Sequence, residues 1–176
     1  MMDITSTSFG LLIAYLLPGL VTLFGLSYWL PDLRRLFETF LNGESNLGLF
    51  LLMALASIAA SLQVTLVRWA LFELFICRRN ALTPDDFKTL GEEGKFTAFR
   101  GAVDEHYRYH QFWGSMVIAL PVLFGGWAWR SRVFSHLWSG LLVLFIFLVL
   151  EALTALGAAR AYINYVNRAR TIMKGV

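Results

Sequence analysis

GLLVLFIFLVLEALTALGAA, residues 140–159, runs for twenty residues with a single ionisable side chain, Glu151. As an α-helix it rises about 1.5 Å per residue and matches the ~30 Å hydrocarbon core of a bilayer. A helix satisfies its own backbone hydrogen bonds, which nothing in that core could do for it. Three further apolar stretches lie upstream, Phe9 to Leu30, Leu47 to Val67 and Phe112 to Trp129. With the last stretch taken as 133–159, the expectation is an all-α, polytopic membrane protein of four transmembrane helices. Residues 78–111 then form a short helical connection between the second and third spans, and residues 1–176 form one helical membrane domain.

Composition agrees. The 176 residues are 57% hydrophobic and 15% charged, with a mean hydropathy of +0.60. Soluble domains carry about a quarter charged residues. The polar remainder is too short for a separate soluble domain of ordinary size. Cys77 is the single cysteine, so no intrachain disulfide framework exists. It stands beside Arg78 and Arg79, where a thiol is open to acylation. Met1 to Ser8 carries Asp3 but no basic residue, and Pro31-Asp32-Leu33-Arg34-Arg35 lacks a small-residue cleavage pattern. The first stretch is therefore expected as a retained anchor.

Charge sets an expected orientation. With four crossings, eleven of the fifteen basic residues fall on the side of the termini and the second connection. Arg34, Arg35, Arg130 and Arg132 fall opposite. Short Lys- and Arg-rich segments stay cytoplasmic, so both termini should face the cytoplasm of a bacterial inner membrane. The basic side suits anionic headgroups, and no nucleic acid is expected as a partner.

Within the spans, Pro18 and Gly19 point to a kink in the first helix. Ser57, Ser61 and Thr65 recur every four positions, a small-residue stripe that lets helices approach within one protomer or between protomers. The second helix is expected to continue past Arg68 and Glu73. Glu151 at membrane depth is a functional candidate by default, with Arg68 as its candidate partner and Glu73 as a competitor for that arginine.

In the connection, Thr83-Pro84-Asp85-Asp86 reads as a helix start, with a hydroxyl cap, proline at the first turn and acids at the positive end. A second helix is expected from Phe96 through Tyr109 into the third span. Its Phe96, Phe99, Val103, Tyr107 and His110 share a face, as in an interfacial helix. Glu105, His106 and His110 form the densest reactive cluster, and two histidines four apart on a helix can share a metal. The glutamate of the zinc-protease motif does not stand between them, and neighbouring aromatic residues suit a membrane-entry belt. Phosphate loops and nucleophile triads leave no signature.

The expectation is thus a non-catalytic protein without cofactors. Its partners would be the bilayer, further copies of itself and a soluble cytoplasmic protein, and it would act as a pore, sensor or anchor. Such a component would suit bacterial antiviral defence or stress response. Two alternatives stand beside it: a metal-dependent hydrolase using Glu105, His106 and His110, and an ion or proton carrier centred on Glu151.

Overall fold

The computed structural model describes residues 4–43, 46–73 and 94–174, together with Leu82 and Phe87. Among the described residues the chain is helical. Its elements are α1 (Ile4–Ser27), α2 (Pro31–Leu41), α3 (Leu47–Arg68), α4 (Lys95–Ala102), α5 (Arg108–Ser131) and α6 (Leu137–Lys174). A π-helical turn, Trp69–Glu73, prolongs α3, and another, Val103–Tyr107, joins α4 to α5. The Thr83-capped helix and Cys77 lie outside the described residues.

Three helical segments are long and apolar enough to cross a membrane: Leu47–Leu71, Arg108–Ser131 and Leu137–Met173. Ala14–Ser27 and Pro31–Leu41, bent by 118° to one another, meet the same measure when taken together, which makes three to four such segments among the described residues. The chain is therefore a multi-pass helical membrane protein. Its outer surfaces fit that solvent: Leu51, Leu55, Leu62 and Leu66 on α3 and Leu142, Phe145, Leu148 and Leu153 on α6 are all exposed. Water would not tolerate apolar faces of this extent.

The helix ends differ from the sequence expectation in instructive ways. The first apolar stretch runs to Leu30, but α1 ends at Ser27 and Pro31 opens α2. Proline disfavours helix at the residue before it and is accommodated in a first turn. Asp32 then lies near the positive end of α2. Hence 31–41 is a helix where the sequence reading had only a connection. Pro18, read as a kink, lies inside the single element α1. It is almost fully buried, and its carbonyl accepts a hydrogen bond from Thr22 Oγ1 at 2.8 Å. The helix from Phe96 into the third span occurs as expected, as the run from α4 through the π turn to α5. That span ends at Arg132, whose φ of 51° is left-handed and closes the helix.

Helix α1 is central, packed on both α3 and α5, while α6 packs on the other side of α5. Close approach is possible because the seams are lined by small residues. A Cβ at Gly19 would overlap the Ser57 carbonyl oxygen and lie 2.9 Å from Ser61 N. A Cβ at Gly25 would lie 2.7 Å from the Leu123 backbone, and one at Gly126 would overlap the Gly25 carbonyl oxygen. Contacts of Tyr15 with Gln111 and of Gly25 with Gly126 show α1 and α5 running parallel. Contacts of His110 with Ala158 and of Phe124 with Phe147 show α5 and α6 antiparallel. Helix α6 has 38 residues, about 57 Å of rise against ~30 Å of hydrocarbon. A long stretch of it therefore lies beyond the bilayer core.

Candidate functional site

Polar side chains converge where α3, α5 and α6 meet. Met53, Ser57, Ser61, Val64 and Arg68 form the buried stripe of α3, the helical spacing of one face. Arg68 closes the stripe and is only 2% exposed. Its Nη1 stands 3.4 Å from Nε2 of His110, which is 1% exposed. On the other edge of the imidazole, Nδ1 lies 2.9 Å from the Ala158 carbonyl oxygen. A carbonyl only accepts and a guanidinium only donates, so the network assigns the proton to Nδ1 and the lone pair to Nε2. One neutral ring thus ties α3 to α6 through α5.

Space for the arginine comes from Gly114, one turn along α5 from His110. A Cβ there would lie 2.8 Å from Arg68 Cδ. Gly157 plays a similar part on α6, with the Trp113 ring 3.7 Å from where its Cβ would stand. Tyr15 adds a link from the central helix, its hydroxyl donating to Gln111 Oε1 at 3.3 Å. Beyond the node the rings continue: Tyr162 lies 5.0 Å from His110 and Tyr165 5.0 Å from Tyr107, with Phe99 6.3 Å from Tyr165. The face expected to lie on the membrane surface therefore packs largely on the projecting end of α6. Phe96 remains exposed.

The remaining sequence candidates are dispersed. Ser57 and Ser61, each 1% exposed, are used within the protomer against Gly19 of α1, and Thr65 is half-buried. Pro18 and Gly19 belong to that same seam. Glu151 lies seven residues, about two turns, before Ala158 on α6. Its Oε2 is buried and has no hydrogen-bond partner among the described residues. Arg34–Glu38 at 2.7 Å and Arg35–Asp32 at 3.7 Å pair within α2. Arg68 is thus brought to His110, which the sequence reading had assigned to a metal cluster.

Of that cluster the structure describes two side chains. His106 is half-buried inside the π turn, and His110 is buried in α5. Both ring nitrogens of His110 are engaged, so a metal would have to displace Arg68 or the Ala158 carbonyl. Groups of three or more His, Cys, Asp or Glu placed for a metal do not occur among the described residues. The side chains of Glu73 and Glu105 lie outside the described residues. The Arg68–His110 contact was hidden from the sequence because its partners are 42 positions apart. The spacing of His110, Gly114 and Ala158 carries no local signature. In comparisons with family models, curated proteins and solved structures, nothing matches this chain.

Proposed function

We propose that the chain is a non-catalytic membrane sensor or anchor, seated in a bacterial inner membrane with both termini in the cytoplasm. Its connection, residues 78–111, engages a soluble protein, and the Arg68–His110–Ala158 node passes the state of that connection to the spans. The supporting observation is the node itself. A buried ring joins three helices one turn beyond the π segment that brings α4 into α5, and π turns within helices recur at functional sites. Copies of the chain would associate through the exposed faces of α3 or α6, since the Ser57/Ser61 stripe is already occupied by α1. A role in defence or stress response fits such a receiver.

A photocrosslinker at the exposed Phe96 should yield one defined adduct with a soluble protein in cells, and His110→Gln should change its yield at least about threefold. A maleimide should reach a cysteine placed at position 90 from the cytoplasmic face alone. Adducts confined to lipid, or labelling of position 90 from outside, would end this reading.

A second reading has its own observation, the buried and unpartnered Oε2 of Glu151. A carboxyl at membrane depth is a candidate carrier for protons or cations. If Glu151 carries flux, liposomes with the wild-type protein should dissipate a proton gradient at least about tenfold faster than those with Glu151→Gln. Equal rates from the two proteins would remove that role.

A further inference from the structure

The end of the bundle remote from Arg68 holds two adjoining hollows. The first, about 340 Å³, is lined by Phe24 and Tyr28 of α1, by Leu120, Leu123, Phe124 and Trp127 of α5, and by Phe147 of α6. Helices α1 and α6 both lean on α5 here, and the hollow is the gap between them. Its wall includes the Phe124–Phe147 stack, with ring centres 4.0 Å apart. The second hollow, about 150 Å³, shares Phe24 and Tyr28 and is edged by Arg34, Glu38 and Arg130. An apolar chamber therefore continues into a charged mouth.

The mouth has a net positive charge. Arg34 is held by Glu38 at 2.7 Å, which leaves Arg130 as the uncompensated cation among the lining residues. Dimensions match one leaflet. Ten residues of α5 separate Leu120 from Arg130, about 15 Å of rise, half of a ~30 Å hydrocarbon core. Helix α2, bent 118° from α1, forms one side of the mouth through Arg34 and Glu38. Exposed Trp127 and Trp129 stand at the same level, where indole rings favour the interface. The chamber is at the small end of ligand pockets, about 300–1,000 Å³, which suits one chain and not two.

We propose that this groove is a binding site for an anionic glycerophospholipid, one acyl chain lying along α5 between Phe24 and Phe147 and the phosphate facing Arg130. The site selects by charge at the mouth and by shape below it. It is separate from the Arg68–His110 node and does not depend on the function proposed above.

The test reconstitutes the protein in phosphatidylcholine vesicles doped with a phosphatidylglycerol whose acyl chain carries a diazirine, and maps adducts by peptide mass spectrometry. The lipid-exposed face of α3, Leu51 to Leu62, is the internal control for ordinary annular contact. Labelling within residues 120–127 should exceed that control about tenfold and be competed by unlabelled phosphatidylglycerol but not by phosphatidylcholine. Arg130→Gln should lower it about fivefold. Leu120→Trp should abolish it while leaving the α3 labelling and the cooperative unfolding transition in detergent intact. Labelling of 120–127 no stronger than α3, equal competition by the two lipids, or labelling unchanged in either variant would overturn the proposal.

Discussion

Replacing Gly19 by leucine is expected to take the bundle apart. Even the first carbon of a side chain at position 19 would overlap the Ser57 carbonyl oxygen and lie 2.7 Å from the Ser57 carbonyl carbon. These are backbone atoms of α3, so no rotamer change relieves the overlap, and α1 must move as a body. Helix α1 is also the support for α5 through Gly25 and Gly126, so a shift at the first seam disturbs the second. Overpacking a tight interior costs about 3 kcal/mol or more when the neighbours cannot yield. Thermal or denaturant unfolding in detergent should show Gly19→Leu failing to give a cooperative transition, with Gly19→Ala strongly destabilised. Gly101→Ala is the counterpart: its Cβ would meet nothing within 4 Å. It should gain up to about 1 kcal/mol through helix propensity. Wild-type stability in Gly19→Leu would refute the α1–α3 seam.

Removing the ring of His110 should cost about 3 kcal/mol, the scale on which a buried charge loses a partner. In His110→Ala the Ala158 carbonyl loses its donor and Arg68 loses a neutral acceptor inside the protein, and an unsatisfied buried group is costlier than a hydrogen bond is worth. The asymmetry predicts a double-mutant result. A cycle of Arg68→Met and His110→Leu should show a coupling energy of about 0.5–3 kcal/mol between the two sites. A His110→Ala protein within about 0.5 kcal/mol of wild type would show that the node contributes nothing beyond ordinary packing.

Both predictions concern residues that looked different in the sequence. Gly19 was read with Pro18 as a break within one helix, whereas its consequence lies between helices. His110 was read with His106 because they are four apart, a neighbour rule that holds on one α-helix. The structure adds that His106 stands in the π turn Val103–Tyr107 and that His110 is buried, engaged by Arg68 of α3 and the Ala158 carbonyl of α6. Glu151 and Arg68 were matched by opposite charge and similar depth, but charge does not state azimuth around a helix axis. The stripe of Ser57 and Ser61 was legible as a packing face, while its occupant was not.

What composition and periodicity determined alone is the solvent and the long apolar helices, while α2 went unread. Long apolar runs must be helices in lipid because every backbone group has to be satisfied within its own segment, and that rule is local in sequence. The continuation of α4 into α5 and the projecting length of α6 follow from the same local preferences. Tertiary structure decided which faces meet: α1 in the centre, Gly19 on Ser57, Arg68 on His110, and a gap over α5 that opens beside Arg130. Those outcomes depend on side-chain volumes summed over helices far apart in the chain. In a bilayer, where burial of apolar surface between spans gains little, close packing and polar pairing choose the partners.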